Sequence, residues 1–273
     1  MTLMARYPST LRAVVLDSVY PPDPLPRTYS QTVEDALNAL FAACHSDATC
    51  AAAHPDLAAT FREAMAELET TPLSVALRPG LGPKTIALGP FALATIVERS
   101  LYFRPLLAML PNAIQAAHDR DAAALQPLVE HLAEGFLDES PADAAAVECR
   151  DRPSLHSAVG AELPGGGVRF PEFHDQICSD WAVSGRPPIM TASPSVRSLL
   201  LAGGIDPRTP PIFAELAARV LGSSAQVVEF PNLSHDIEEF SACGAGLITR
   251  FVQHPDDRLD AACAAVVPPV KFR

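Results

Sequence analysis

The stretch Leu199-Leu200-Leu201-Ala202-Gly203-Gly204-Ile205-Asp206-Pro207-Arg208-Thr209-Pro210-Pro211 constrains this chain more than any other. An apolar run beginning at about Ser198 is too short for a helix and is closed by glycine. That pattern predicts an interior parallel strand buried on both faces. Gly203-Gly204 lets the backbone turn sharply, and Asp206 emerges just past the strand's carboxyl end. Open α/β sheets collect ligands and reactive side chains at that edge. Pro210 and Pro211 pre-set the first turn of a helix over Ile212–Leu221. Taken alone, Asp206 is a cap for that helix. A second unit of the same form follows. Gln226-Val227-Val228-Glu229-Phe230 predicts a short strand, succeeded by Pro231-Asn232-Leu233-Ser234-His235-Asp236 and a helix over Phe240–Val252.

A loop histidine by itself is ordinary solvated surface. Here two similar loops on neighbouring parallel strands can bring the Asp206 carboxylate to the His235 imidazole. The carboxylate would fix the imidazole tautomer and stabilise the imidazolium while the ring moves protons. Aspartate before histidine, late in the chain, is the order found in α/β-hydrolases.

Leu200–Pro211 with Ser234-His235 resembles the C-terminal part of α/β-hydrolases related to the tripeptidyl and prolyl aminopeptidases. Arg12-Ala13-Val14-Val15-Leu16-Asp17-Ser18-Val19 with Pro21-Pro22, the Cys44/Cys50 pair, and Cys243 with Cys263 extend the likeness over nearly the whole chain. The resemblance implies the C-terminal part of an α/β-hydrolase fold, with few parallel strands, flanking helices and a large helical cap insertion. It makes Asp206 and His235 two members of a catalytic triad. It also implies disulfides Cys44–Cys50 and Cys243–Cys263, which leaves Cys149 with Cys178. Such bridges would place the full-length parent outside the cytoplasm, extracellular or in the cell envelope.

The third triad member is not in view. The nucleophile of this fold stands in a G-x-S-x-G elbow between a strand and a helix, and the sequence contains no such motif. In the family the elbow shortly precedes a helix that ends in Tyr-Pro. Met1-Thr2-Leu3-Met4-Ala5-Arg6-Tyr7-Pro8 resembles the tail of that helix, so the serine is expected upstream of Met1 and the sequence to begin inside the fold. Ser18 is a possible substitute, at the end of the apolar strand predicted over Ala13–Val19, but it lacks the flanking glycines of an elbow.

From Thr28 onward the pattern turns helical. Apolar residues recur at three- and four-residue spacing over Tyr29–Cys44, Pro55–Thr70, Gly89–Tyr102, Leu106–Arg120 and Ala122–Phe136. Leu73–Leu77 and Thr85–Leu88 read as a small hairpin about a Gly80-Leu81-Gly82-Pro83 turn. Residues 28–189 are therefore expected to form a cap inserted into a core of 1–27 and 190–273. Caps of this kind exclude water and select substrates. Near the return to the core, Glu148 and Asp151 are candidates to bind a substrate's protonated N-terminus. As surface charge they would instead pair with Arg150 or Arg152. Gly165-Gly166-Gly167 reads as a flexible loop without the helix and Lys-Ser/Thr of a phosphate site. Trp181, the one tryptophan, is expected to lie where cap meets core.

A hydrophobic fraction of 48% suffices for a buried core, and a formal net charge of −12 argues against nucleic acid or an anionic membrane surface as partner. No run approaches the roughly 18 apolar residues of a membrane span, and no signal peptide is legible after Met1. The six cysteines admit several pairings, and reduced buried thiols are the alternative. No C-x-x-C occurs and His45 lacks a second ligand set, so no metal or other cofactor is expected. The resemblance implies a serine hydrolase, an exported aminopeptidase-type peptidase releasing N-terminal residues or short peptides from a peptide or a small ester or amide substrate. The chain itself lacks the nucleophile and is expected to be inactive alone. The alternative is a non-catalytic peptide- or partner-binding fragment. Self-association is expected through Ala13–Val19, which lacks the charge or proline that discourages edge pairing until Asp17.

Overall fold

The computed structural model describes residues 1–22, 25–138, 140–151, 178, 180 and 195–272. Among these, one compact unit holds 1–36, 145–151, 178, 180 and 195–269, and a second holds 37–144 and 270–272. Gly165–Gly167 and Trp181 lie outside the described residues. The strands in chain order are β1 (Ala13–Asp17), β2 (Leu73–Ala76), β3 (Thr85–Leu88), β4 (Arg197–Gly203) and β5 (Ala225–Phe230).

The first unit is built on a parallel sheet ordered β1-β4-β5. Ala13 pairs with Arg197 through to Asp17 with Leu201, and Ser198 pairs with Ala225 through to Gly203 with Phe230. A central parallel strand buries both faces, which is why β4 reads as an unbroken apolar run. Its alternate side chains separate by face. Leu199 and Leu201 join Val228, Phe230, Ile237, Leu247 and Phe251. Leu200 and Ala202 join Met4, Ala214, Ala217 and Leu221 on the other side. The helix Ala242–Gln253 thus covers one face and the helix Pro211–Leu221 the other. Each fully buried leucine stabilises by about 1.5–3 kcal/mol relative to exposure.

The strand predicted over Ala13–Val19 stops at Asp17, because Ser18 takes a left-handed φ of 58° that breaks the extended run. The helix expected over Phe240–Val252 is two pieces, Ile237–Phe240 and Ala242–Gln253. Ser241 separates them with an extended backbone and caps the second, its Oγ accepting from Gly244 N at 3.2 Å.

The second unit is mainly helical, with β2 and β3 forming the expected antiparallel hairpin. Gly80 and Gly82 sit in its turn at φ of 98° and 120°, a region open to glycine and costly for other residues. The single helix expected over Leu106–Arg120 is broken into Arg104–Leu107 and Leu110–His118. Pro111 lies in the first turn of the second piece, where its missing N–H costs nothing and it cannot continue the first. The segment between Cys44 and Cys50 is helical on both sides of Asp47. The Asp47 carboxylate accepts from Thr49 N and Cys50 N and starts Ala48–Ala53. The return segment is also a helix, Pro141–Asp151, announced by Pro141 and the alanines after it. Among the described residues no helix is long and apolar enough to cross a membrane.

Candidate active site

β4 and β5 run parallel and adjacent, so the loops at their carboxyl ends leave the sheet side by side. The approach is closer than a turn alone requires. A Cβ on Gly203 would stand 2.0 Å from the Ser234 carbonyl oxygen, and one on Gly204 would stand 2.7 Å from that of Pro231. Neither glycine has a positive φ. The pair is therefore needed for close passage of the second loop over the first, beyond the sharp turn expected from sequence. Gly204 N donates to Phe230 O at 3.0 Å and Ile205 N to Leu233 O at 2.9 Å, which fastens the loops together.

Asp206 is 1% exposed. Its Oδ1 accepts from Arg208 N at 2.8 Å and Thr209 N at 3.0 Å. Its Oδ2 accepts from Thr209 Oγ1 at 2.5 Å and faces His235 Nδ1 at 2.8 Å. The carboxylate does not cap the next helix, whose N-terminal boundary is Pro210. It is spent on its own loop and on the imidazole. An ionised carboxylate only accepts hydrogen bonds, so Nδ1 carries the proton and the basic lone pair falls on Nε2. Thr209 Oγ1 lies 3.2 Å from Nδ1, and with its proton on Asp206 it offers that N–H a second acceptor.

The His235 side chain is 15% exposed while that of Asp206 is fully buried, so the pair has a sealed end and a partly open one. Ser234, the residue before the histidine, is fully buried with its Oγ 3.4 Å from Ile205 O. Asp236 takes a left-handed φ of 56°, and its Oδ1 stands 3.7 Å from His235 Nε2.

Ser18 is buried and strained at the end of β1. Its hydroxyl donates to Asp17 Oδ1 at 3.1 Å and accepts from Asp236 N at 3.2 Å. A serine whose proton goes to a neighbouring carboxylate is not activated by the imidazole. Glu148 lies on the helix Pro141–Asp151, its side chain outside the described residues, and Asp151 ends that helix exposed to solvent. Among the described residues no histidine, cysteine and carboxylate cluster has the makings of a metal site.

All six cysteines are bridged, as Cys44–Cys50, Cys149–Cys178 and Cys243–Cys263, with Cα separations of 5.1, 5.1 and 6.0 Å. The last ties the helix over one face of the sheet to the short helix Ala262–Ala265.

One residue of the site escaped sequence reading, Thr209. Thr209 left a local signal, a hydroxyl residue three positions after an aspartate, which is a common turn pattern.

Residues 171–263, roughly a third of the chain, match a family model described as TAP-like protein. The match runs through β4, Asp206, β5 and His235. This part of the chain is similar to the TAP-like C-terminal region of α/β-hydrolases, and the small parallel sheet with its flanking helices agrees with that fold. No curated protein matches the chain.

Proposed function

We propose that the chain carries the proton-relay half of a serine hydrolase, of the exported aminopeptidase type that releases N-terminal residues or short peptides. The observation that carries the reading is the 2.8 Å contact between His235 Nδ1 and the buried Asp206 carboxylate, at the ends of neighbouring parallel strands. The TAP-like match over the same residues supports it. In the reaction His235 Nε2 takes the proton of an attacking serine and returns it to the leaving amine. Asp206 holds the ring and stabilises the imidazolium without itself taking the proton.

The insertion over 28–189 is read as the substrate-selecting cap of this fold. Glu148 and Asp151 are proposed to meet the substrate's ammonium group. A solvated carboxylate such as Asp151 contributes little to such binding. Three disulfides suit an oxidising compartment and support an extracellular or cell-envelope setting.

The nucleophile is the part that these 273 residues do not offer in G-x-S-x-G form. That observation favours, as a second reading, a peptide- or partner-binding role. A fluorophosphonate probe tests the proposal on the chain as it stands. The expected outcome is no labelling, because Ser18 spends its proton on Asp17. Stoichiometric labelling of Ser18, or of any other serine in the chain, would overturn the assignment of roles.

A further inference from the structure

Asp206 and His235 account for the ends of β4 and β5 but give β1 no part in the site. β1 nevertheless ends in two polar residues that reach the histidine loop. One carboxylate oxygen of Asp17 accepts from Ile237 N at 3.2 Å and the other from Glu238 N at 2.9 Å. Ser18 Oγ accepts from Asp236 N at 3.2 Å and donates to Asp17 Oδ1 at 3.1 Å. Three consecutive backbone amides, those of Asp236, Ile237 and Glu238, are thus held by one dipeptide from the far end of the sequence. They are the three that directly follow His235.

The arrangement is costly. Ser18 and Asp236 both sit in the left-handed region, at φ of 58° and 56°, where non-glycine residues are strained. Burial also pushes the Asp17 carboxyl above the usual carboxylate range, in spite of the hydrogen bonds it accepts. The helix that these contacts cap, Ile237–Phe240, has four residues and gains little by itself from a cap. Fixing the residue after a histidine does fix the direction in which the imidazole leaves the backbone.

We infer that Asp17 and Ser18 are positioning residues, which hold the amides of Asp236–Glu238 so that the His235 imidazole is turned onto Asp206. The inference rests on the Asp206–His235 pair being the relay proposed above. Neither residue touches the reacting atoms; both act through the backbone of the histidine loop.

Hydrogen exchange read by mass spectrometry on the whole chain tests this, at the backbone amides and at the slowly exchanging imidazole C2–H. Two variants are compared with the parent, Asp17→Asn and Ser18→Gly. Glycine adopts a φ of 58° without strain, so the second removes the hydroxyl while easing the backbone. Asp206→Asn is the reference for a His235 that has lost its partner. Both variants are expected to lose protection at Asp236–Glu238 and to shift the His235 C2–H half-life in the same direction as Asp206→Asn. Amides of β4 should stay protected in both, which separates local release from general unfolding. If Asp206→Asn alters the His235 half-life and the two variants leave it at the parent value, the positioning role is overturned and the pair stands. If Asp206→Asn leaves that half-life unchanged, the pair fails, and the positioning role fails with it.

Discussion

Asp17 shows how a residue with no role legible in sequence acquires one in the fold. Its ionised form is disfavoured by burial first, and the charge of Asp236 adds to that, against the hydrogen bonds from Glu238, Ile237 and Ser18. The folded pKa is therefore raised above the usual carboxylate value of about 4. Between the two values the folded chain keeps a proton that the unfolded chain has released. The contribution of this group to stability is then full below the ordinary value and is lost as pH rises through the raised one. Urea unfolding midpoints measured from about pH 4 towards neutrality should fall more steeply for the parent than for Asp17→Asn. Parallel curves would contradict the assignment. Asp206 and His235 were readable because each follows its own strand within a few residues, so local pattern places them. Thr209 and Asp17 owe their roles to atoms brought close by the sheet, and for Asp17 the partners lie 220 and 221 positions away.

At the scale of elements, the sheet was legible wherever burial alone decided the pattern. β4 came from an apolar run, β5 from the short Val-Val stretch after it, and the hairpin from two short runs about a glycine-bearing turn. Boundaries decided by single residues were not legible. Pro111 restarts a helix that periodicity carried straight through, and Ser241 divides another. Gly203 was noticed for its freedom to turn, whereas its lack of a side chain is what the site uses. Substituting Gly203→Ala puts a methyl group against the carbonyls of Leu233 and Ser234, both of them backbone. Backbone cannot swing aside as a long side chain does, so a cost of about 3 kcal/mol is expected. The histidine loop should be the part displaced. Denaturant unfolding measures the first effect, and loss of amide protection at Ile205, which donates to Leu233 O, measures the second. A Gly203→Ala protein with parental stability and a protected Ile205 would show that the loops do not pass so closely.

Among the described residues β1 pairs with β4 alone, which leaves its other side without a strand partner among them. Ala13-Val14-Val15-Leu16 presents no charge or proline there, and such edges recruit further strands. The net charge of −12 opposes association through general repulsion. At ordinary salt that repulsion is screened beyond about 10 Å, so it acts weakly on short-range backbone pairing. Light scattering behind size-exclusion chromatography should therefore find dimers or larger species of the 273-residue chain. A cooperative monomer would mean that the edge is covered and would strengthen the binding-module reading. The relay itself is tested most directly by kinetics on the protein made from the longest reading frame that contains these residues. Hydrolysis of aminoacyl and tripeptidyl chromogenic substrates would be followed for that protein and for its Asp206→Asn and His235→Ala variants. The account predicts hydrolysis that falls roughly 10⁴-fold in kcat on losing the carboxylate, and at least as far on losing the imidazole. Hydrolysis that survives either substitution at the parental rate would contradict it.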